Sequence, residues 1–135
     1  MINIKLLPAY LFILAVSNAI AGGVVVIGHA DVGKLDAATV QKIFTGKLIQ
    51  VEGVEVTAVN LKPGPLRDRF LQTFLNQTED KYTIYWAKRL FVGKGAPPLE
   101  LSNTADVIKF VRSTPGAIGY VDEADVLPEV HVIVR

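Results

Sequence analysis

The sequence has no cysteine. That single absence removes disulfides, thiolate nucleophiles and cysteine-based zinc sites together, so the fold rests on packing alone. Histidine is nearly missing as well. His29 and His131 stand far apart with no supporting ligands, and no metal site is expected. The only serines are Ser17, Ser102 and Ser113, none of them in a G-x-S-x-G elbow. No pair of carboxylates stands out in a plausible cleft, so we assign no catalytic residue, expect no cofactor and do not read the chain as an enzyme. An excess of one charge is also lacking: 14 lysines and arginines face 13 aspartates and glutamates. A nucleic-acid partner, which calls for a basic surplus, is not expected.

Half of the 135 residues are hydrophobic, and part of that excess lies at the start. Met1 to Lys5 carries one positive charge, Leu6 to Val16 is almost wholly apolar, and Ala19-Ile20-Ala21 places small residues where a signal peptidase reads. This is the three-part pattern of a secretory signal peptide at 1–21. The apolar run falls well short of the roughly 20 residues that span a bilayer, so no stable membrane anchor is expected. No cysteine near the cleavage point means no lipid attachment there. Removal of the leader takes away only Lys5 among the charged residues and brings basic and acidic residues to parity. The expectation is a soluble, periplasmic domain over 22–135, long enough for one core.

Along that domain, Val24 to Ile27 is a β-branched run of a buried strand, leading into a loop that holds His29 and Asp31. Asp36 suits the cap of a helix with the stripe Val40, Ile43 and Phe44, closed by Gly46. Leu48 to Glu52 reads as a connection turning at Gly53. Thr78 caps a second helix, on which Tyr82, Tyr85, Trp86, Leu90 and Phe91 share one side as a core stripe. Gly93 to Pro98 is a loop. Asn103 caps a helix with the stripe Val107, Ile108 and Val111, Pro115-Gly116 turns the chain, Ala117 to Val121 is a strand, and His131 to Val134 is an edge strand. Alternating strands and helices make the fold α/β, with a mixed, mainly parallel sheet flanked by helices.

The stretch from Val54 to Phe70 carries the functional signal. Val54, Val56 and Ala58 alternate with polar residues as a strand does. A turn, Asn60-Leu61-Lys62-Pro63-Gly64-Pro65, then leads to a helix with Leu66, Phe70, Leu71, Phe74 and Leu75 at helical spacing. Pro65 suits the first helical turn, where its missing N–H costs nothing. Such a helix start points unpaired N–H groups and partial positive charge into the loop, a natural seat for an anion. The candidate oxyanion ligands are Gly64, Arg67, Lys62 and Asn60. His29 and Asp31 join them, because they follow a strand's C-terminal end, where open α/β sheets bind ligands.

Ile43-Phe44-Thr45-Gly46-Lys47, Tyr85-Trp86, Phe91-Val92-Gly93, Pro97-Pro98 and Pro115-Gly116-Ala117-Ile118-Gly119-Tyr120-Val121 resemble, in order and spacing from Gly23 to Val126, the phosphate-binding proteins that serve ABC-type phosphate importers, and more closely their short, single-domain relatives. The resemblance implies one lobe, similar to the second, of a periplasmic-binding-protein fold of the second structural type, a small phosphate-like anion as ligand, and an envelope transporter or sensor as partner. The family's loop carries an arginine and then Ser-Gly-Thr. Here the glycine survives as Gly64, both hydroxyls are gone, and Asn60 stands about where the arginine would. Gln50-Val51 occupies the place of a frequent tryptophan. These departures keep open an alternative: a ligand-free lobe that serves as a protein-interaction or sensor-accessory module.

Overall fold

The computed structural model describes residues 23–135, and the leader expected at 1–21 lies outside them. The elements are β1 (Val24–Gly28), α1 (Ala37–Phe44), β2 (Gln50–Val51), β3 (Val54–Glu55), β4 (Thr57–Leu61), α2 (Pro65–Phe70), α3 (Glu79–Phe91), β5 (Leu99–Leu101), α4 (Thr104–Ser113), β6 (Ala117–Asp122) and β7 (His131–Val134). A π-helical turn, Leu71–Leu75, extends α2.

Five strands form one sheet in the order β5-β4-β6-β1-β7. β4 pairs in parallel with β5 and β6, while β1 is antiparallel to both β6 and β7. Four of the five strands therefore point one way and β1 alone is reversed. Every residue of β1 is buried, as is β6 from Ala117 to Val121, which is why these segments read as continuous apolar runs. The two faces of β6 are covered by different helices. Tyr120 stacks on Phe70 of α2, with ring centroids 3.9 Å apart and planes 5° from parallel. The preceding residue, Gly119, faces the other way. A Cβ there would come within 2.8 Å of Val107 Cγ1 on α4. The missing side chain is what lets α4 lie against the sheet.

The caps form as their sequence implies. Asp36, Thr78 and Asn103 accept from the amides of Thr39, Lys81 and Asp106. Other expectations need correction. The alternating run at Val54 is not one strand. Glu52 and Gly53, both with positive φ, turn a small hairpin of β2 on β3, and the central strand β4 begins only at Thr57. It then continues through Asn60 and Leu61, which the sequence places in a turn. β5 has no pattern of its own; it exists because β4 offers it a parallel edge. The aromatic stripe of α3 is shorter than expected. Tyr82 and Trp86 are buried, but Leu90 is 58% exposed and Phe91 92%, because the helix outlasts the core beneath it.

Candidate functional site

β4 delivers Asn60 and Leu61 to the C-terminal edge of the parallel strands, the edge at which open α/β sheets gather ligands. Asn60 is 1% exposed and wholly engaged. Its Oδ1 accepts from the Tyr120 hydroxyl at 3.1 Å and its Nδ2 donates to the Tyr82 hydroxyl at 3.0 Å. Tyr82 in turn donates to the Phe44 carbonyl, and the Leu61 amide donates to Tyr120. Burial pushes both phenols above their ordinary range, with Asn60 partly offsetting it at Tyr82 and the Leu61 amide at Tyr120. A satisfied polar chain of this kind locks the edge in one arrangement. Asn60→Leu should therefore cost about 2 kcal/mol, the penalty of leaving the buried Tyr120 O–H without an acceptor, while the Tyr82 hydroxyl keeps its bond to the Phe44 carbonyl. Urea denaturation monitored by Trp86 fluorescence measures it; a loss near zero would mean that water replaces the amide.

Beyond Leu61 comes the loop Lys62-Pro63-Gly64 and the start of α2. Pro65 occupies the first helical position, as its sequence suggests, and Gly64 is the N-cap with no side-chain cap bond. Among the described residues no acceptor meets the amides of Gly64, Leu66 or Arg67, whereas the Asp68 amide already bonds back to the Gly64 carbonyl. Lys62 is exposed beside them.

Arg67 behaves differently from a loop cation. It is 5% exposed, and its guanidinium binds Glu79 through two bonds of 2.8 Å, Glu100 at 2.7 Å and the Leu61 carbonyl at 3.1 Å. The Tyr82 ring lies 5.4 Å away. Burial opposes the charge, but Glu100 and Glu79 more than compensate and hold the guanidinium above its ordinary range. The residue ties α2, α3 and β5 to the end of β4. Behind it lies a cavity of about 220 Å³ lined by Asn60, Arg67, Tyr82, Trp86, Pro98 and Glu100 among others. Its wall is largely apolar and its polar rim includes a carboxylate, which does not suit a bare anion.

His29 and Asp31 are near each other, with Nδ1 and Oδ1 2.7 Å apart, but not near the loop. They follow the C-terminal end of β1, and because β1 is reversed that end lies at the N-terminal ends of β4 and β6. The His29 amide accordingly bonds to the Ala117 carbonyl, and Asp31 Oδ1 accepts from the Gly116 amide at 3.0 Å. That backbone bond, helped by His29, holds the Asp31 carboxyl below its usual range against the opposing effect of desolvation. A strand's length, roughly 17 Å for five residues, separates this pair from Lys62 and Gly64. One oxyanion cannot touch both. The six candidates thus divide into a loop pair with exposed charge and amides, Lys62 and Gly64; two buried braces, Asn60 and Arg67; and a separate turn anchor, His29 with Asp31.

The braces' partners were not singled out by sequence as site residues. Glu79 looks like an ordinary first-turn acid favouring the helix dipole, and Glu100 has no local signal at all. Both become visible only when α3 and β5 converge on Arg67. Among the described residues no group of histidines, aspartates and glutamates is placed to hold a metal, and no helix is long and apolar enough to cross a membrane.

No protein-family model matches the chain, and no curated protein matches it. Solved structures do. One is a phosphate ABC transporter substrate-binding protein with bound phosphate from Clostridium perfringens, at TM-score 0.64 and 20% identity over 84% of this chain and 45% of that one. Another is an ABC-type phosphate transport receptor from Vibrio cholerae, at TM-score 0.63 and 13% identity over 83% of this chain and 45% of that one. The chain spans less than half the length of either. The likeness is one of fold: a solute-binding-like α/β lobe.

Proposed function

We propose that the protein is an exported, periplasmic solute-binding lobe that takes a small oxyanion of the phosphate class at the loop from Lys62 to Leu66, in the service of ABC-type uptake. The observation that carries this reading is the set of amides at Gly64, Leu66 and Arg67 that meet no acceptor among the described residues, at the C-terminal edge of β4 and beside the exposed Lys62. Backbone N–H groups at a helix start and a nearby ammonium are a sufficient oxyanion seat. The matched protein with bound phosphate supports the ligand class. The side chains of Arg67 and Asn60 serve the seat as braces rather than as contacts, because their donors face the chain's own acceptors.

A ligand held by one lobe is enclosed less than the 70–90% usual for small-molecule sites, so binding should be weak. Titration calorimetry of the protein with phosphate and with sulfate should give saturable heat in the millimolar range. Lys62→Ala should weaken it several-fold, on the order of 1 kcal/mol for an exposed charge pair. No heat and no rise in melting temperature at tens of millimolar anion would sink the reading.

The missing loop hydroxyls and the capture of Arg67 by Glu79 and Glu100 favour a second reading, a ligand-free interaction or sensor-accessory lobe. A specific envelope partner retained equally by the wild type and by Lys62→Ala would support it.

A further inference from the structure

α3 ends in a surface with no role in the core or in the loop site. Ile84 is 53% exposed, Leu90 58%, Phe91 92% and Val92 60%. Among the described residues these are four of the seven large hydrophobic side chains left in solvent, and all four lie within nine consecutive positions. Isolated exposed leucines need no explanation, but a contiguous apolar patch does. Leu90 lines the cavity behind Arg67, whereas Ile84, Ala87, Lys88, Phe91 and Val92 line one open apolar groove.

Beyond the exposed Asp80, one turn before Ile84, the charge along this segment has one sign. From Lys81 to Leu99 there is no aspartate or glutamate, while Lys81, Lys88, Arg89 and Lys94 are all present. Lys81, Lys88 and Lys94 are exposed, and their ammonium groups form no ion pair among the described residues. Arg89 is held against the Tyr85 and Trp86 rings and the Gly46 and Lys94 carbonyls, so it stiffens the base of the patch. Gly93, with φ of 74°, ends the helix and leaves Phe91 and Val92 at its tip. An apolar tip carrying phenylalanine and flanked by the exposed Lys88 and Lys94 has the chemistry of an interfacial helix, whose apolar residues enter the acyl boundary while its cations meet lipid phosphates.

We propose that the end of α3, with Phe91 and Val92 as its apolar tip and Lys88 and Lys94 as its cationic rim, docks the protein reversibly on an anionic lipid bilayer. One such helix end gives marginal binding, which fits a protein that attaches and releases rather than one that is anchored.

Sedimentation with vesicles tests this on the exported protein. Vesicles of phosphatidylethanolamine with about one third phosphatidylglycerol should retain it and phosphatidylcholine vesicles should not, with retention falling at high salt. Phe91→Ser should abolish retention. Lys88→Ala and Lys94→Ala should each lower it about five-fold, from the roughly 1 kcal/mol that a lysine gains at such a surface. All three positions are exposed, so the variants should fold as the wild type does, and their urea midpoints check this. The sole tryptophan, Trp86, packs one turn from the tip and should change emission on binding only to the anionic vesicles. Equal retention by Phe91→Ser and wild type, or no retention on anionic vesicles, overturns the proposal. So does a concentration-dependent dimer broken by Phe91→Ser, or capture of an acidic protein by the same lysines without vesicle binding.

Discussion

Gly116→Ala is expected to leave little folded protein, with a loss above about 4 kcal/mol, a range reached only by identifiable steric or burial faults. Two faults coincide at this residue. Its φ of 75° lies in the left-handed region, which costs an L-residue about 1–2 kcal/mol. An added Cβ would also run into the carbonyl of Glu55, which is backbone and has no rotamer to yield. Neither side can retreat cheaply. The Gly116 carbonyl accepts from the Thr57 amide at 2.9 Å, and its N–H donates to Asp31 at 3.0 Å. The turn is thereby pinned to β4 on one side and to the loop after β1 on the other. Gly53→Ala is the control, since Gly53 has a similar φ of 82° and open space where its Cβ would lie. It should lose only the backbone contribution, about 1–2 kcal/mol. Urea denaturation of both variants separates the two effects. A Gly116→Ala protein no weaker than Gly53→Ala would show that the Glu55 carbonyl moves aside freely.

Arg67→Met should destabilise the protein by about 3 kcal/mol, at the lower end of the 3–5 kcal/mol typical when one partner of a buried ion pair is removed. The lower end applies because the carboxylates left behind are not sealed: the side chains of Glu79 and Glu100 are 27% and 46% exposed and can turn to water. What stays unpaired is the Leu61 carbonyl at the end of β4, together with two acids that both faced the guanidinium. Adding Glu79→Gln to Arg67→Met should restore part of the loss, because repulsion between the stranded acids is then relieved. A double-mutant cycle reads that coupling directly. A loss under 1 kcal/mol with no coupling would place Arg67 among ordinary surface ion pairs. The comparison also bears on function: if Arg67→Met still folds and still binds anion with wild-type heat, the guanidinium is a brace, as its geometry indicates.

The local features were legible wherever the physics is local. Asp36, Thr78 and Asn103 sit one residue before their helices, and a cap needs only its own next three residues. Pro65 announces the first turn of α2 for the same reason. The β-branched run at Val24 marks a strand covered on both faces. Legibility failed where a residue's state depends on what arrives from far along the chain. Asn60 looks like a turn residue because a buried amide is costly. It is a strand residue because Tyr82 and Tyr120, 22 and 60 positions away, satisfy both ends of that amide. Leu90 and Phe91 match a core stripe by spacing, yet the core ends a turn earlier.

By itself, then, the order of residues determined the α/β class, the capped helices, and the loop with its glycine and lysine at the head of a helix, since each depends on neighbours within a few positions. Only the tertiary structure decided which candidates form one site. The reversal of β1 sends His29 and Asp31 to the far edge of the sheet. The convergence of α3 and β5 turns Arg67 from a cation offered to solvent into one claimed by Glu79 and Glu100. Strand direction and long-range ion pairing depend on which partner lies across in space, and no local spacing encodes that choice.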